Sequence, residues 1–252
     1  MRTITFVGNG NMGVSIAQGL KGKYHIEVVG RSMENLNSFE KHLDTKIDKF
    51  LLNDFDITGK TILLCVKPTN VSEVGKKLQG KADLLISVLA GVSTKVLKKH
   101  FKSKSIVRSM PNLAASIGKS MTTLTGDANS KEDAIVILNA IGDTLWLESE
   151  KEIDVATALA GSGPAYLALF AEALVDGAVK QGLKRDDAMA TMRGLFSGFS
   201  ALIQDIHPAL LKDTVMSPGG TTAAGYAALE DGNVRASCIH AIEEAYNKAI
   251  EL

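Results

Sequence analysis

The chain carries no excess of either charge. Its 252 residues hold 28 Lys plus Arg against 28 Asp plus Glu, with no basic cluster. Nucleic acid and anionic membrane are therefore not expected as partners, because both demand a positive footprint. Cysteine is nearly absent. Cys65 and Cys238 stand far apart in apolar surroundings. They form neither a disulfide framework nor a zinc pattern and read as two buried thiols in a reducing cytoplasm. A secretory leader is not expected either, since Arg2 leads into a short apolar run and then glycines. The longest apolar stretch, "VATALAGSGPAYLALFAEALVDGAVKQG", contains Glu172, Asp176 and a Gly-Ser-Gly-Pro break. It reads as a buried helix pair rather than a membrane span. Metal-ligand clusters, a Ser/His/Asp arrangement, internal repeats and low-complexity tracts are missing too. His25, His42, His100, His207 and His240 are scattered, and His207-Pro208 reads as the end of one helix and the start of the next.

What is present is a change of pattern near residue 150. Before it, short β-rich runs at 3–8, 26–30, 61–66, 84–89 and 105–110 alternate with amphipathic segments such as 11–20, 70–78 and 94–100. That alternation predicts βαβ units and a parallel sheet buried on both faces. "SMTTLTG" and "DTLWLE" add edge strands around the helical "KEDAIVILNAIG". After Lys151 the apolar residues recur at helical period. The fold class is α/β, with residues 1–150 as the sheet domain and 151–252 as an all-α domain. Its small residues, Ala165, Ala168, Ala171 and Ala178, suit close helix packing, within one chain or between subunits.

Four motifs carry chemistry. Gly8-x-Gly10-x-x-Gly13 follows the first strand and opens a helix, the context of a dinucleotide-binding loop. Gly8 makes the tight turn, Gly10 admits a pyrophosphate, and Gly13 lets helix meet strand. At the end of the second strand, "GRS" offers Arg31 where an NAD site places a carboxylate. An arginine there can pair with a 2′-phosphate, so NADP(H) is expected ahead of NAD(H). "CVKP" ends the third strand at the edge where such sheets bind ligands, and Lys67 can reach a phosphate or stay in solvent. The fourth motif, Ser217-Pro218-Gly219-Gly220-Thr221-Thr222, cannot continue a helix. Two readings stay open on the residues alone: a nest of N–H groups for a carboxylate, or a turn capped by Thr221. "GSGP" at 161–164 leaves a similar pair open, a tight turn between two helices or a wall beside a nicotinamide.

Taken together, "FVGNGNMG", "GRS", "CVKP", "SVLAGVS", "RSMPNLAASIG", "TALAGSGPAY" and "HPALLKDTVMSPGGTTAAGYAALE" resemble pyrroline-5-carboxylate reductase. The likeness covers nearly the whole chain. It implies a Rossmann N-domain, a helical dimerisation domain, and larger rings such as a decamer. It implies reduction of 1-pyrroline-5-carboxylate to L-proline by NAD(P)H. It assigns cofactor contacts to Val7, Gly8, Asn9, Gly10, Asn11, Met12, Arg31, Ser32, Asn53, Cys65, Val66, Lys67 and Pro68. Substrate contacts fall to the turn of Ser217, Gly219, Gly220, Thr221 and Thr222, and the need to orient the ring nitrogen of such a substrate points to the Thr222 hydroxyl as the catalytic group. Leu113 and Asp205 depart from the commoner pattern, where relatives have Thr and Glu. A β-hydroxyacid dehydrogenase would carry a lysine on the helix reading "GPAYLALFAEALVDG", which has none. A non-catalytic NADPH-binding protein would have no need of the "SPGGTT" turn.

Overall fold

The computed structural model describes residues 1–251. Ten strands and eleven α-helices follow in chain order. The strands are β1 Thr3–Val7, β2 His25–Gly30, β3 Asp48–Leu51, β4 Phe55–Asp56, β5 Thr61–Leu64, β6 Leu78–Gln79, β7 Ala82–Ser87, β8 Ser103–Met110, β9 Ser120–Gly126 and β10 Gly142–Trp146. The helices of the sheet domain are α1 Asn11–Leu20, α2 Met33–Leu43, α3 Val71–Lys77, α4 Thr94–His100 and α5 Lys131–Leu138. Eight strands form one sheet in the order β10-β9-β8-β7-β5-β1-β2-β3, while β4 and β6 make a small separate pair. The six strands from β8 to β3 pair in parallel. Strand β9 runs antiparallel to β8, and β10 parallel to β9. The link from β8 to β9 holds only a short 3-10 turn, Leu113–Ile117, which is too little chain for a crossover helix.

The parallel strands are near-continuous apolar runs because both faces are covered. On one face Ile4, Phe6, Val28 and Leu63 pack with Ile16, Leu20 and Phe39 of α1 and α2. On the other, Val7, Val29, Ile62 and Leu64 pack with Val71, Val74 and Leu97 of α3 and α4. The boundaries differ from those read in sequence: β5 ends at Leu64, β7 starts at Ala82, and β8 starts at Ser103. Helix α2 and edge strand β3 had no sequence assignment, and β9 is internal rather than an edge.

The remaining helices are α6 Glu150–Ala156, α7 Gly163–Lys180, α8 Arg185–Leu202, α9 Pro208–Val215, α10 Thr221–Asp231 and α11 Val234–Ile250. The chain divides into two compact units, one of Met1–Ser162 with the segment from Glu244 onward, the other of Gly163–Glu243. Packing therefore keeps α6 with the sheet.

Two expectations are corrected here. "GSGP" does not break the helix. A π-helical turn at Thr157–Gly161 joins α6 to α7, and the run Glu150–Lys180 is one helix of 31 residues. That run is not buried: 11% of its most apolar window is, although its length and composition would let it cross a membrane. In the second unit only Val175 and Ala188 are buried among the described residues. Leu167, Leu169 and Phe199 stand open at 55%, 65% and 46% exposure. Apolar surface on this scale marks an interface. Nor are the cysteines fully buried. Cys65 and Cys238 are both half-buried, though burial pushes the Cys65 thiol well above its usual range.

Candidate functional site

The crevice forms where β1 and β5 lie side by side and the strand order reverses, which is where such sheets bind ligands. Its floor is made by backbone. Cys65 N–H donates to the Val7 carbonyl at 2.8 Å, and Gly8 N–H to the Val29 carbonyl at 2.9 Å. This pulls the exits of β1, β2 and β5 together.

Each loop glycine has a separate reason. Gly8 has φ +107°, and a Cβ there would stand 2.6 Å from the Cys65 carbonyl oxygen. At Gly13 a Cβ would press on Cys65 Cβ at 3.3 Å, so glycine lets α1 sit close to the sheet. At Gly10 the nearest atom to a Cβ is 3.9 Å away, so nothing in the protein demands glycine there. Gly10 is instead the N-cap of α1, with no side chain bonded to the helix end. The first intrahelical bond runs from Val14 N–H to the Gly10 carbonyl. The amides of Asn11, Met12 and Gly13 thus have no partner within the helix and stand unspent at its positive end, which also has no acidic residue in its first turn. These features fit a dinucleotide pyrophosphate.

A cavity of about 540 Å³ opens over this floor. It is lined by Val7, Gly8, Asn9, Gly10, Arg31, Cys65, Val66 and Lys67 of the expected cofactor set. Five expected residues lie off its wall. Asn11 lines a neighbouring groove with Asn9 and Asn35. Met12 packs on the core beneath. The Ser32 hydroxyl caps α2 by accepting from Asn35 N–H at 3.4 Å. Pro68 begins a 3-10 turn. Asn53 is exposed beyond β3, while its neighbour Leu52 takes the wall, held by its N–H to the Gly30 carbonyl at 2.9 Å. The sequence reading missed Val29, Gly30, Asn35, Leu52, Thr69, Asn70 and Val74. The last three follow the Lys-Pro pair and were within reach of its signal. Asn35 and Leu52 depend on α2 and β3.

Arg31 is exposed at the cavity edge. The Glu73 carboxyl is held below its usual value chiefly by Lys77, which donates to it at 2.8 Å, with a longer-range contribution from Arg31.

In the second unit, Pro208 starts α9, and the ring of His207 caps it by accepting from Ala209 N–H at 3.3 Å. The chain then turns through Ser217–Gly220 into α10. Gly219 takes φ +67°, where a side chain would be strained. Gly220 N–H donates to the Ser217 carbonyl at 3.0 Å, and a Cβ on Gly220 would run into Ser217 Oγ. Gly220, not Thr221, is the N-cap. Ala224 N–H makes the first bond back to the Gly220 carbonyl, which leaves the Thr221, Thr222 and Ala223 amides free. Ser217, Thr221 and Thr222 are all exposed. Asp205 is exposed in the turn after α8.

Comparison with known proteins fits this arrangement. The sequence profile described as pyrroline-5-carboxylate reductase dimerisation matches residues 150–252. One described as NADP oxidoreductase coenzyme F420-dependent matches residues 3–91. The pyrroline-5-carboxylate reductase of Thermus thermophilus is 35% identical, over 99% of this chain and 98% of its own. This chain belongs to the pyrroline-5-carboxylate reductase family. Among solved structures, 1-pyrroline-5-carboxylate reductase of Streptococcus pyogenes superposes with TM-score 0.86 at 29% identity, covering 99% of this chain and 98% of the other. The Plasmodium falciparum pyrroline carboxylate reductase, solved with NADP bound, gives 0.82 at 28% identity, covering 99% and 98%. The chain is thus an NAD(P)H-dependent oxidoreductase, with the α/β architecture of the family.

Proposed function

We propose that this reductase converts 1-pyrroline-5-carboxylate to L-proline, with NADPH preferred to NADH. Residues 1–150 bind the cofactor, and residues 151–252 bind substrate and form the dimer. The observation that carries the cofactor half is the Gly8–Gly13 cradle. Gly8 and Gly13 are required by the protein's own packing, whereas Gly10 is required by nothing except a ligand.

The bound cofactor supplies the hydride that reduces the imine carbon. The protein's part is placement. Unspent amides of Asn11, Met12 and Gly13 hold phosphate oxygens. Arg31 pairs with the 2′-phosphate, Lys67 adds a second cation, and Asn53, next to Leu52 of the cavity wall, contacts the nucleotide. At the other motif, the Gly220 and Thr221 amides hold the substrate carboxylate. Ser217 and Gly219 shape that turn. The Thr222 hydroxyl hydrogen-bonds the ring nitrogen and fixes the face that is reduced. Addition of hydride to a protonated imine yields a neutral amine, which takes its proton from water. No acid–base pair is then needed, and the work is orientation and charge placement. The exposed apolar faces of α7 and α8 support a homodimer built from this domain, assembled further into rings such as a decamer. Balanced charge supports a protein without nucleic-acid or membrane partners, and the two free cysteines support a cytoplasmic one.

The direct assay is oxidation of NADPH with pyrroline-5-carboxylate, run in parallel with NADH. Turnover with NADPH ahead of NADH is expected. In Arg31→Ala the KM for NADPH rises by about 10- to 150-fold, the value of a charge-assisted hydrogen bond of about 1.5–3 kcal/mol, while the KM for NADH stays within about threefold of wild type. Equal losses with both cofactors would remove Arg31 from the 2′-phosphate. Thr222→Ala is expected to lower kcat/KM by about 1–3 kcal/mol through loss of an oriented bond. An unchanged kcat/KM in steady-state kinetics removes the role given to Thr222.

A further inference from the structure

Helix α6 passes into α7 through the π turn at Thr157–Gly161, and a proline follows at 164. In an α-helix the N–H of residue 164 would donate to the carbonyl of residue 160. Pro164 has no N–H, so that bond cannot form. Ala160 is half-buried, and a carbonyl shielded from water without a partner is costly. The structure supplies a substitute from far along the chain. Asn112 Nδ2 donates to the Ala160 carbonyl at 3.1 Å.

Asn112 is itself held on every side. Its Oδ1 accepts from Ala114 N–H at 3.1 Å, and its own N–H donates to Ser120 Oγ at 3.0 Å. It stands two residues beyond the end of β8, on the same sheet edge as the exits of β1 and β5. The turn it grips is close to that edge, since a Cβ on Gly161 would lie 3.9 Å from Met110 Cγ. The turn is also tied internally. Thr157 Oγ1 donates to the Ile153 carbonyl at 2.7 Å, and Ser162 N–H to the Thr157 carbonyl at 3.1 Å. π turns inside α-helices occur often at functional sites.

We propose that Asn112 is a positioning residue for the reduction: its amide stands in for the N–H that Pro164 lacks, and so holds the π turn against the edge of the sheet from which the cofactor is presented. The proposal rests on the cofactor reading above. Asn112 is not part of the cavity wall over the glycine loop. It acts through the backbone of Ala158–Ser162.

A double-mutant cycle tests this on the full-length protein. Asn112→Asp keeps the acceptor for Ala114 and removes the donor. Asn112→Ala removes both. Pro164→Ala returns a backbone N–H to Ala160. Each variant is made alone, and each Asn112 variant is also combined with Pro164→Ala. Alone, both Asn112 variants are expected to lower kcat by about five- to tenfold, the weight of one hydrogen bond. The Kd for NADPH, read by fluorescence titration, stays within twofold, because the Gly8–Gly13 cradle is untouched. In the Pro164→Ala background the loss of kcat shrinks to about twofold or less, since the orphan carbonyl has a new donor. A kcat within twofold of wild type for both single variants overturns the proposal. So does an equal loss with and without Pro164→Ala. If a single variant does not fold, its Pro164→Ala combination is expected to recover soluble protein, and failure to recover counts against the proposal. Should wild type not turn over pyrroline-5-carboxylate, the functional reading fails separately, and the Asn112–Pro164 coupling is read from thermal midpoints.

Discussion

Gly8→Ala is expected to lose NADPH binding and stability together, whereas Gly10→Ala loses binding alone. The difference follows from what each added methyl group meets. At Gly8 it meets the Cys65 carbonyl at 2.6 Å and Val66 N at 2.9 Å, both backbone atoms that cannot rotate away. The backbone at φ +107° is also closed to a side chain, at a cost of order 1–3 kcal/mol. Relief requires the exits of β1 and β5 to part, and those exits are the floor of the cavity. A displacement of about 1 Å at such a site can cost on the order of a hundredfold in function. The Kd for NADPH in Gly8→Ala should rise by about that factor, with a urea midpoint clearly below wild type. At Gly10 the nearest atom is 3.9 Å away, so the methyl group fits the protein and occupies only the space that the proposed pyrophosphate would fill. Wild-type stability with much weaker NADPH binding is the expected outcome. Calorimetric titration beside urea melts reads both quantities. If Gly8→Ala binds NADPH within threefold of wild type, the cradle is not where the pyrophosphate sits. If Gly10→Ala does so, the open space above it is not used.

Arg108→Met is expected to destabilise the fold by about 3 kcal/mol, the low end of the range for breaking a buried ion pair. Arg108 sits on β8 with 3% of its side chain exposed. Its Nη2 donates to Asp154 Oδ1 at 2.6 Å, and its Nη1 to Glu150 Oε2 at 3.3 Å. Glu150 also accepts from the Thr94 N–H at 3.1 Å and from the Thr94 hydroxyl. One guanidinium thus ties the start of α6 and the start of α4 to the sheet. With Met in place, two carboxylates keep their charge without a cation. Asp154 is 18% exposed and Glu150 31%, so water screens part of the cost, which puts the estimate at the low end. Arg108 Nε is buried without a partner, so the wild-type network is already short of one bond. Replacing the whole network should therefore cost less than breaking it. Arg108→Met with Glu150→Gln and Asp154→Asn is expected to recover at least half of the loss in urea unfolding. A single variant within 1 kcal/mol of wild type would mean that the network adds little to stability.

Much of this protein was legible without coordinates because the signals are local. Glycines between a strand and a helix, apolar runs of strand length, and helical period after Lys151 each depend on a few neighbouring φ/ψ angles or on one repeat. The α/β class and the glycine loop follow from them. "SPGGTT" as a turn that starts a helix was readable for the same reason. The cap inside that turn was not, since Gly220 takes it with its carbonyl, which accepts from Ala224 N–H, and no capping side chain marks it in the sequence.

What only the tertiary structure decided are the contacts between residues distant in the chain. Which strand lies beside β1 determines that Cys65 faces Gly8, and so why Gly8 must be glycine. The strand order puts Leu52 rather than Asn53 on the cavity wall. It sets Arg108 against Glu150 and Asp154, and Asn112 against Ala160. The apolar helix at Glu150–Lys180 gave the same signal whether buried or open, because period records which residues share a face and not what covers that face. Pairing and register arise from packing over the whole sheet, and a window of sequence holds only one side of each such contact.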